Sequence, residues 1–275
     1  MTAKLAGALV GALLIAAILV QGGPVERLIE QLGSPDAAER SLARAELYSL
    51  SEEAAPALIE ATYSDDPTLR WEAVNLLGMI GDPRGIDAAL RLALSDPGVH
   101  VRWRADWALY LLDDGSAVPR LIEALNGEDP TITWNAAVAL SLFKVKEAVP
   151  VLYQGLEATG FQQWEAVNGL GRVWDDRAVP KLAALLVDGT EDIRKEAALS
   201  LGYIGGDEVI SALLRALRTD PSPGVRWRAA MILGRIGGPD LVLELREIAK
   251  SEADPSVLEQ LGEAIDRITA SGEGE

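Results

Sequence analysis

Few side chains in this sequence are able to do chemistry. The one histidine is His100, followed by Val101, and there is no cysteine. Without thiolates there is neither a cysteine nucleophile nor a sulfur-ligated metal site. A lone imidazole at the start of a helical pattern reads as a solvated capping residue. Ser95 and Ser116 are near His100 in sequence, but a serine triad needs hydroxyl, imidazole and carboxylate in one line, and both serines fall in turns. Asp113-Asp114 and Asp175-Asp176 are paired carboxylates, yet each pair stands where a helix begins, so capping of free amides is the better reading. The sequence thus assigns no catalytic residue, no metal and no cofactor. What remains is a set of tryptophans, and their spacing leads to the elements that carry them.

Trp71, Trp103, Trp134, Trp164 and Trp227 are each followed two residues later by an alanine, namely Ala73, Ala105, Ala136, Ala166 and Ala229. Lys195 and Ala197 fill the slot between the last two, so the steps are 32, 31, 30, 31 and 32 residues. A constant period of this length marks stacked helical pairs, none of which can bury its apolar face alone. Arg40 to Thr62 is a weaker copy before the series, and Val257 to Ile268 is a half copy after it. Asp66-Pro67, Asp96-Pro97, Asp129-Pro130, Asp220-Pro221 and Asp254-Pro255 open units, with Asp as cap and Pro at a position that loses no hydrogen bond. Gly81-Asp82, Asp114-Gly115, Gly205-Gly206 and Gly237-Gly238 form the inner turns. Second helices are predicted to start near Pro56, Pro119, Pro150 and Pro180. The predicted fold is an all-α solenoid of about seven helical hairpins over residues 24–270, preceded by one N-terminal hydrophobic helix and followed by a short disordered tail, 271–275.

The pattern Val-Arg-x-x-Ala-Ala-x-x-Leu-Gly-x-Ile-Gly, present at Val225 to Gly237 and more loosely at Leu69 to Gly81, resembles the HEAT-repeat family. It is similar in particular to the short HEAT-like repeats of the phycobilisome-lyase type. The resemblance implies that Arg70, Arg102, Arg194 and Arg226 bridge to acidic groups in neighbouring turns. Thr133 and Gln163 replace that arginine in two units. Iron hydroxylases built from such repeats use His-Glu pairs, which this chain lacks. The resemblance also implies that the positions after the arginine face a groove, concave in such solenoids.

Trp71, Trp103, Trp134, Trp164 and Trp227 then form a stripe along that groove, with Trp107, Val138 and Met231 one turn further on and Tyr203 beyond them. Arg104 and Arg228 stand beside the stripe. The core is expected from Ala105, Ala108, Leu109 and their equivalents, spaced for one helical face. Large aromatic side chains beside arginine are what binding surfaces favour. The alternative is that the rings lie between adjacent units as packing. A net charge of −17 opposes nucleic-acid binding, which depends on neutralising phosphates.

The first 23 residues are different. Lys4 is the only charged side chain before Glu26, and Leu5 to Val20 is an unbroken apolar run. Sixteen residues make a helix of about 24 Å, close to spanning a hydrocarbon core of ~30 Å. The small-x-small cleavage pattern after it is poor, so residues 1–23 are predicted to be a retained membrane anchor, with a cleaved signal and a secreted product as the alternative. Lys4 orients the repeats to the exported side, periplasmic or extracellular. The functional expectation is a non-catalytic, membrane-anchored scaffold that binds a protein or peptide partner, itself at the membrane, through its Trp-lined face. The alternative is a lyase-like or chaperone-like protein holding an apolar small molecule, such as a tetrapyrrole, in the same groove.

Overall fold

The computed structural model of the chain describes residues 23–112 and 115–272. Among these residues the structure is all-helical. Helix α1 (Pro24–Leu32) precedes seven helical pairs. These are α2 (Ala37–Leu50) with α3 (Ala55–Ala61), α4 (Pro67–Ile80) with α5 (Ile86–Ser95), α6 (Val99–Leu111) with α7 (Ala117–Leu125), and α8 (Pro130–Leu142) with α9 (Val149–Gly155). Then come α10 (Phe161–Val173) with α11 (Val179–Asp188), α12 (Glu191–Ile204) with α13 (Asp207–Thr219), and α14 (Pro223–Ile236) with α15 (Leu241–Ser251). Helix α16 (Pro255–Gly272) closes the series and includes the first two residues of the expected tail, Ser271 and Gly272. The chain divides into two compact units, one ending at Ala139 and the other beginning at Leu140.

The hydrophobic helix expected over Leu5–Val20 lies outside the described residues, as do the anchor and the cleaved signal read from it. Among the described residues no helix is long and apolar enough to cross a membrane. That finding corrects the expectation of an anchored protein with exported repeats and a membrane-associated partner. The described helices bury one stripe and keep charges on the other, as the charged first and last turns of α13 illustrate.

Local chemistry shapes the turns into the helices, although Asp96 and Asp220, read as caps, stand two residues before the N-caps Gly98 and Ser222. Asp66, Asp96, Asp129, Asp220 and Asp254 each accept a hydrogen bond from the backbone amide two residues on. Second helices α3, α9 and α11 begin with proline in their first turn, where its missing N–H costs nothing. Asp175 is likewise a cap: it accepts from the Arg177 amide and binds the Arg177 guanidinium at 2.7 and 2.8 Å. That guanidinium holds the Asp175 carboxyl below its ordinary range. Asp113-Asp114 lies outside the described residues.

First helices stack on first helices through small residues. A Cβ on Gly78 would come 2.8 Å from the Cα of Ala108, and one on Gly234 would come 2.7 Å from that of Ala264. So α4 touches α6, and α14 touches α16, almost backbone to backbone. Ala73, Ala105, Ala136, Ala166 and Ala229 on the first helices are all fully buried.

A second device fixes the loops. In Arg70 one terminal amine donates to the carbonyls of Ser64 and Asp65, while the other edge of the guanidinium binds both oxygens of Asp96 at 2.7 and 3.0 Å. Arg194 repeats this with the Gly189 carbonyl and Asp220, and Arg226 with the Asp220 carbonyl and Glu252, each carboxylate 26 residues further along. Thr133 and Gln163 keep only the bond to the loop carbonyl, at 3.4 and 2.9 Å. The substitutions read from the sequence therefore retain the loop bond without supplying a charge.

Two outcomes follow. Removing one member of a buried pair leaves its partner uncompensated, so Asp96→Ala should lower unfolding free energy by about 3–5 kcal/mol. Asp87→Ala, in the exposed pair with Arg120, should change it by less than about 1 kcal/mol. Denaturant titration of both variants checks the contrast. Glu252 is held below its ordinary value of 4.5 chiefly by the hydrogen bond from Arg226. A depressed carboxyl contributes stability above its unfolded pKa that is lost as pH falls through the folded one. Melting temperature should therefore drop as pH falls below about 4.5, and Glu252→Gln should make that drop shallower.

Candidate partner-binding surface

Helix α6 carries His100, Trp103, Arg104 and Trp107 at i, i+3, i+4 and i+7, one continuous stripe. Its other face holds Val101, Ala105, Ala108 and Leu109, all buried. Helix α4 brings Trp71 and Asn75 alongside. Trp71, His100, Trp103, Arg104 and Trp107 line one recess of about 290 Å³. The sequence singled out four of these five.

The guanidinium of Arg104 lies over the Trp71 ring, 4.4 Å from its centroid. One of its terminal amines donates to the side-chain oxygen of Asn75 at 3.2 Å. Among the described residues no carboxylate lies within ion-pair distance of Arg104. Glu72 is close enough to act on it, but both Glu72 oxygens are already bound by Arg44. Burial therefore pulls the Arg104 pKa below its ordinary value, Glu72 opposing and Arg44 adding to the shift. The group stays protonated all the same, as guanidinium does in proteins.

Aromatic pairs at i, i+3 extend the surface. His100 meets Trp103 edge-on with centroids 6.0 Å apart, and Trp107 stacks on Tyr110 at 5.4 Å. His100 is exposed and borders the recess instead of capping the helix. In the second unit Phe161 stacks on Trp164 at 6.0 Å. The i, i+3 spacing of these partners was legible in the sequence, although their role was not read from it.

Across both units the stripe is intermediate in burial. Trp71, Trp103, Trp134, Trp164, Trp227, Arg104, Arg228 and Met231 are half-buried, while Trp107 and Tyr203 are 44% and 42% exposed. Val138 is buried and does not extend the patch. The column is therefore neither wholly core nor wholly free: Trp71 is covered on one face by the next repeat's Arg104. The seventh tryptophan, Trp174, is exposed outside the column. It occupies a left-handed turn position (φ 56°) like that of Gly81, with the Lys144 amine 3.6 Å from its ring centroid.

Of three larger recesses, those of about 660 and 510 Å³ lie at the loops bound by Arg70 and Arg226, and one of about 410 Å³ lies beside Ile29 and Tyr63. Those arginines are committed to Asp96 and Glu252.

A family model for HEAT repeats matches residues 25–110, 88–162, 118–201, 160–223 and 179–266. The chain belongs to the HEAT-repeat family. No curated protein matches it in sequence. Among solved structures it is similar to YibA of Escherichia coli, at 18% identity over 90% of this chain and 93% of that one, with a TM-score of 0.54. It is also similar to the complex of CpcE and CpcF of phycocyanin lyase from a Nostoc species, at 21% identity over 78% and 94%, TM-score 0.48. Human deoxyhypusine hydroxylase, solved with glycerol, gives 26% identity over 77% and 84%, TM-score 0.35. These likenesses concern the fold. HEAT repeats explain the helix stacking and the arginine bridges; the aromatic recess is a feature of this chain's own residues.

The half-burial of the column sets an expected order of stability losses. Trp107→Ala should cost less than about 1 kcal/mol, as an exposed substitution. Trp71→Ala removes a ring packed under Arg104 and should cost roughly half of the ~3–5 kcal/mol of a fully buried aromatic. Thermal melts of the two variants check the order.

Proposed function

We propose that the protein is a non-catalytic interaction scaffold whose residues 24–270 present a protein- or peptide-binding surface on the concave, Trp-lined side of the repeats. The observation that carries this reading is the recess itself. Three indoles and a guanidinium converge on one side of α4 and α6 although a complete alanine and leucine core lies beneath them. Leaving such area in contact with water is unfavourable, and Trp and Arg clusters of this kind dominate the energetics of protein interfaces. At about 290 Å³ the recess lies at the lower limit of cavities that enclose a small molecule. That size favours a hot spot for a partner side chain over a chromophore pocket. The column positions Trp134, Trp164 and Trp227, with Arg228, Tyr203 and Met231, are assigned to the same kind of contact.

A photo-crosslinking amino acid at position 107 should give a discrete protein adduct in cells. The same residue at position 243, where Leu243 is 73% exposed on α15, should not give it. Equal adducts from both positions would overturn the reading. With the captured partner in hand, Trp107→Ala should weaken binding by ~2 kcal/mol, roughly thirtyfold.

A further inference from the structure

The recess holds a cation that has no carboxylate within ion-pair distance among the described residues, in a protein whose net charge is −17. From that contrast we infer that the recess formed by Trp71, Trp103, Arg104 and Trp107 takes a partner segment in which a carboxylate stands beside an apolar side chain. The inference rests on the partner-binding reading and names the chemistry the partner presents.

Neighbouring guanidiniums set the standard for comparison. Arg44 binds both oxygens of Glu72, and Arg70 binds both oxygens of Asp96. Arg104 is half-buried among them; its direct partners among the described residues are a ring face and a neutral amide oxygen, and nearby Glu72 is already bound by Arg44. A partly desolvated charge without an opposite charge is unfavourable, and a ring face offsets only ~0.5–1 kcal/mol of that cost. The guanidinium has five N–H donors, one of which is used by Asn75. The others can bind a carboxylate side by side, the strongest arrangement open to this group.

The alternatives fit less well. A lysine or arginine from the partner would enter against a cation that already covers Trp71. A phosphate group is normally gathered by a cluster of arginines, and this recess offers one. The surrounding indoles accept an aliphatic or aromatic side chain next to the carboxylate. Because the chain as a whole is acidic, a broadly acidic partner is repelled, so the carboxylate is a local feature that sets register on the surface.

The probes are blocked hexapeptides, acetylated and amidated, of the form Ser-Gly-Trp-Zaa-Gly-Ser, where Zaa is glutamate, glutamine or lysine. They are titrated into the full-length protein while the seven indole N–H signals are followed by NMR, assigned by single Trp→Phe variants. The glutamate peptide should move the Trp71, Trp103 and Trp107 signals and bind about tenfold tighter than the glutamine peptide, with the lysine peptide weakest. Arg104→Gln should erase the difference between glutamate and glutamine while apolar binding persists. Equal binding of the glutamate and glutamine peptides at those three indoles overturns this inference and leaves the partner-binding reading standing. No shift at any of the three indoles with any peptide overturns both. The comparison on the unsubstituted protein is decisive without the variant.

Discussion

The bridge from an arginine to a carboxylate 26 residues further on is the interaction from which the rest of this structure follows. Arg70, Arg194 and Arg226 each tie the loop before their own helix to the loop before the next. The same carboxylate also binds the amide of the residue just before the following helix, as Asp96 does for Gly98 and Asp220 for Ser222. One carboxylate thereby shapes the turn into a helix, closes a loop and fixes the offset between consecutive repeats. A charge so deeply placed is costly if unpaired, which makes the register of the stack specific and not merely apolar.

With the register fixed, contacts between helices can become close. Gly78 against Ala108 and Gly234 against Ala264 bring the first helices together with no side chain between them. Close backbones leave little room over the seam, so side chains as large as indole must lie across it instead of entering it. That is why the tryptophan column is half-buried throughout, and why Trp71 comes within reach of an arginine one repeat away. The candidate surface is a by-product of tight stacking, made useful by the residue types placed on it. Where the types change, so does the surface: the smaller Val138 is buried.

The acidic balance belongs to the same picture. Glu72, Asp82, Asp96, Asp175, Asp220 and Glu252 are bound by arginines, and the acidic excess of the chain keeps the protein highly charged. Against that background Arg104, like Arg91 over the Tyr63 ring, is a half-buried cation held by a ring instead of by a carboxylate among the described residues.

Period and three of the four bridging arginines are local or strictly periodic properties, and the sequence by itself determined them; Arg102, read as the fourth bridge, binds only the Asp96 and Pro97 carbonyls among the described residues. The Asp-Pro starts, the seven helical pairs and the alanine core could all be read from spacing, because each repeat meets its neighbour in the same way. The hydrophobic amino-terminal run was just as legible as composition, yet its reading as an anchor found no spanning helix among the described residues to support it. Only the tertiary structure decided which tryptophan faces water, that His100 borders a recess, and that Glu72 is spent on Arg44, leaving Arg104 to Trp71. Those facts turn on which side chains from different repeats reach one another first. That competition is settled by distances across the stack, and no single stretch of sequence contains it.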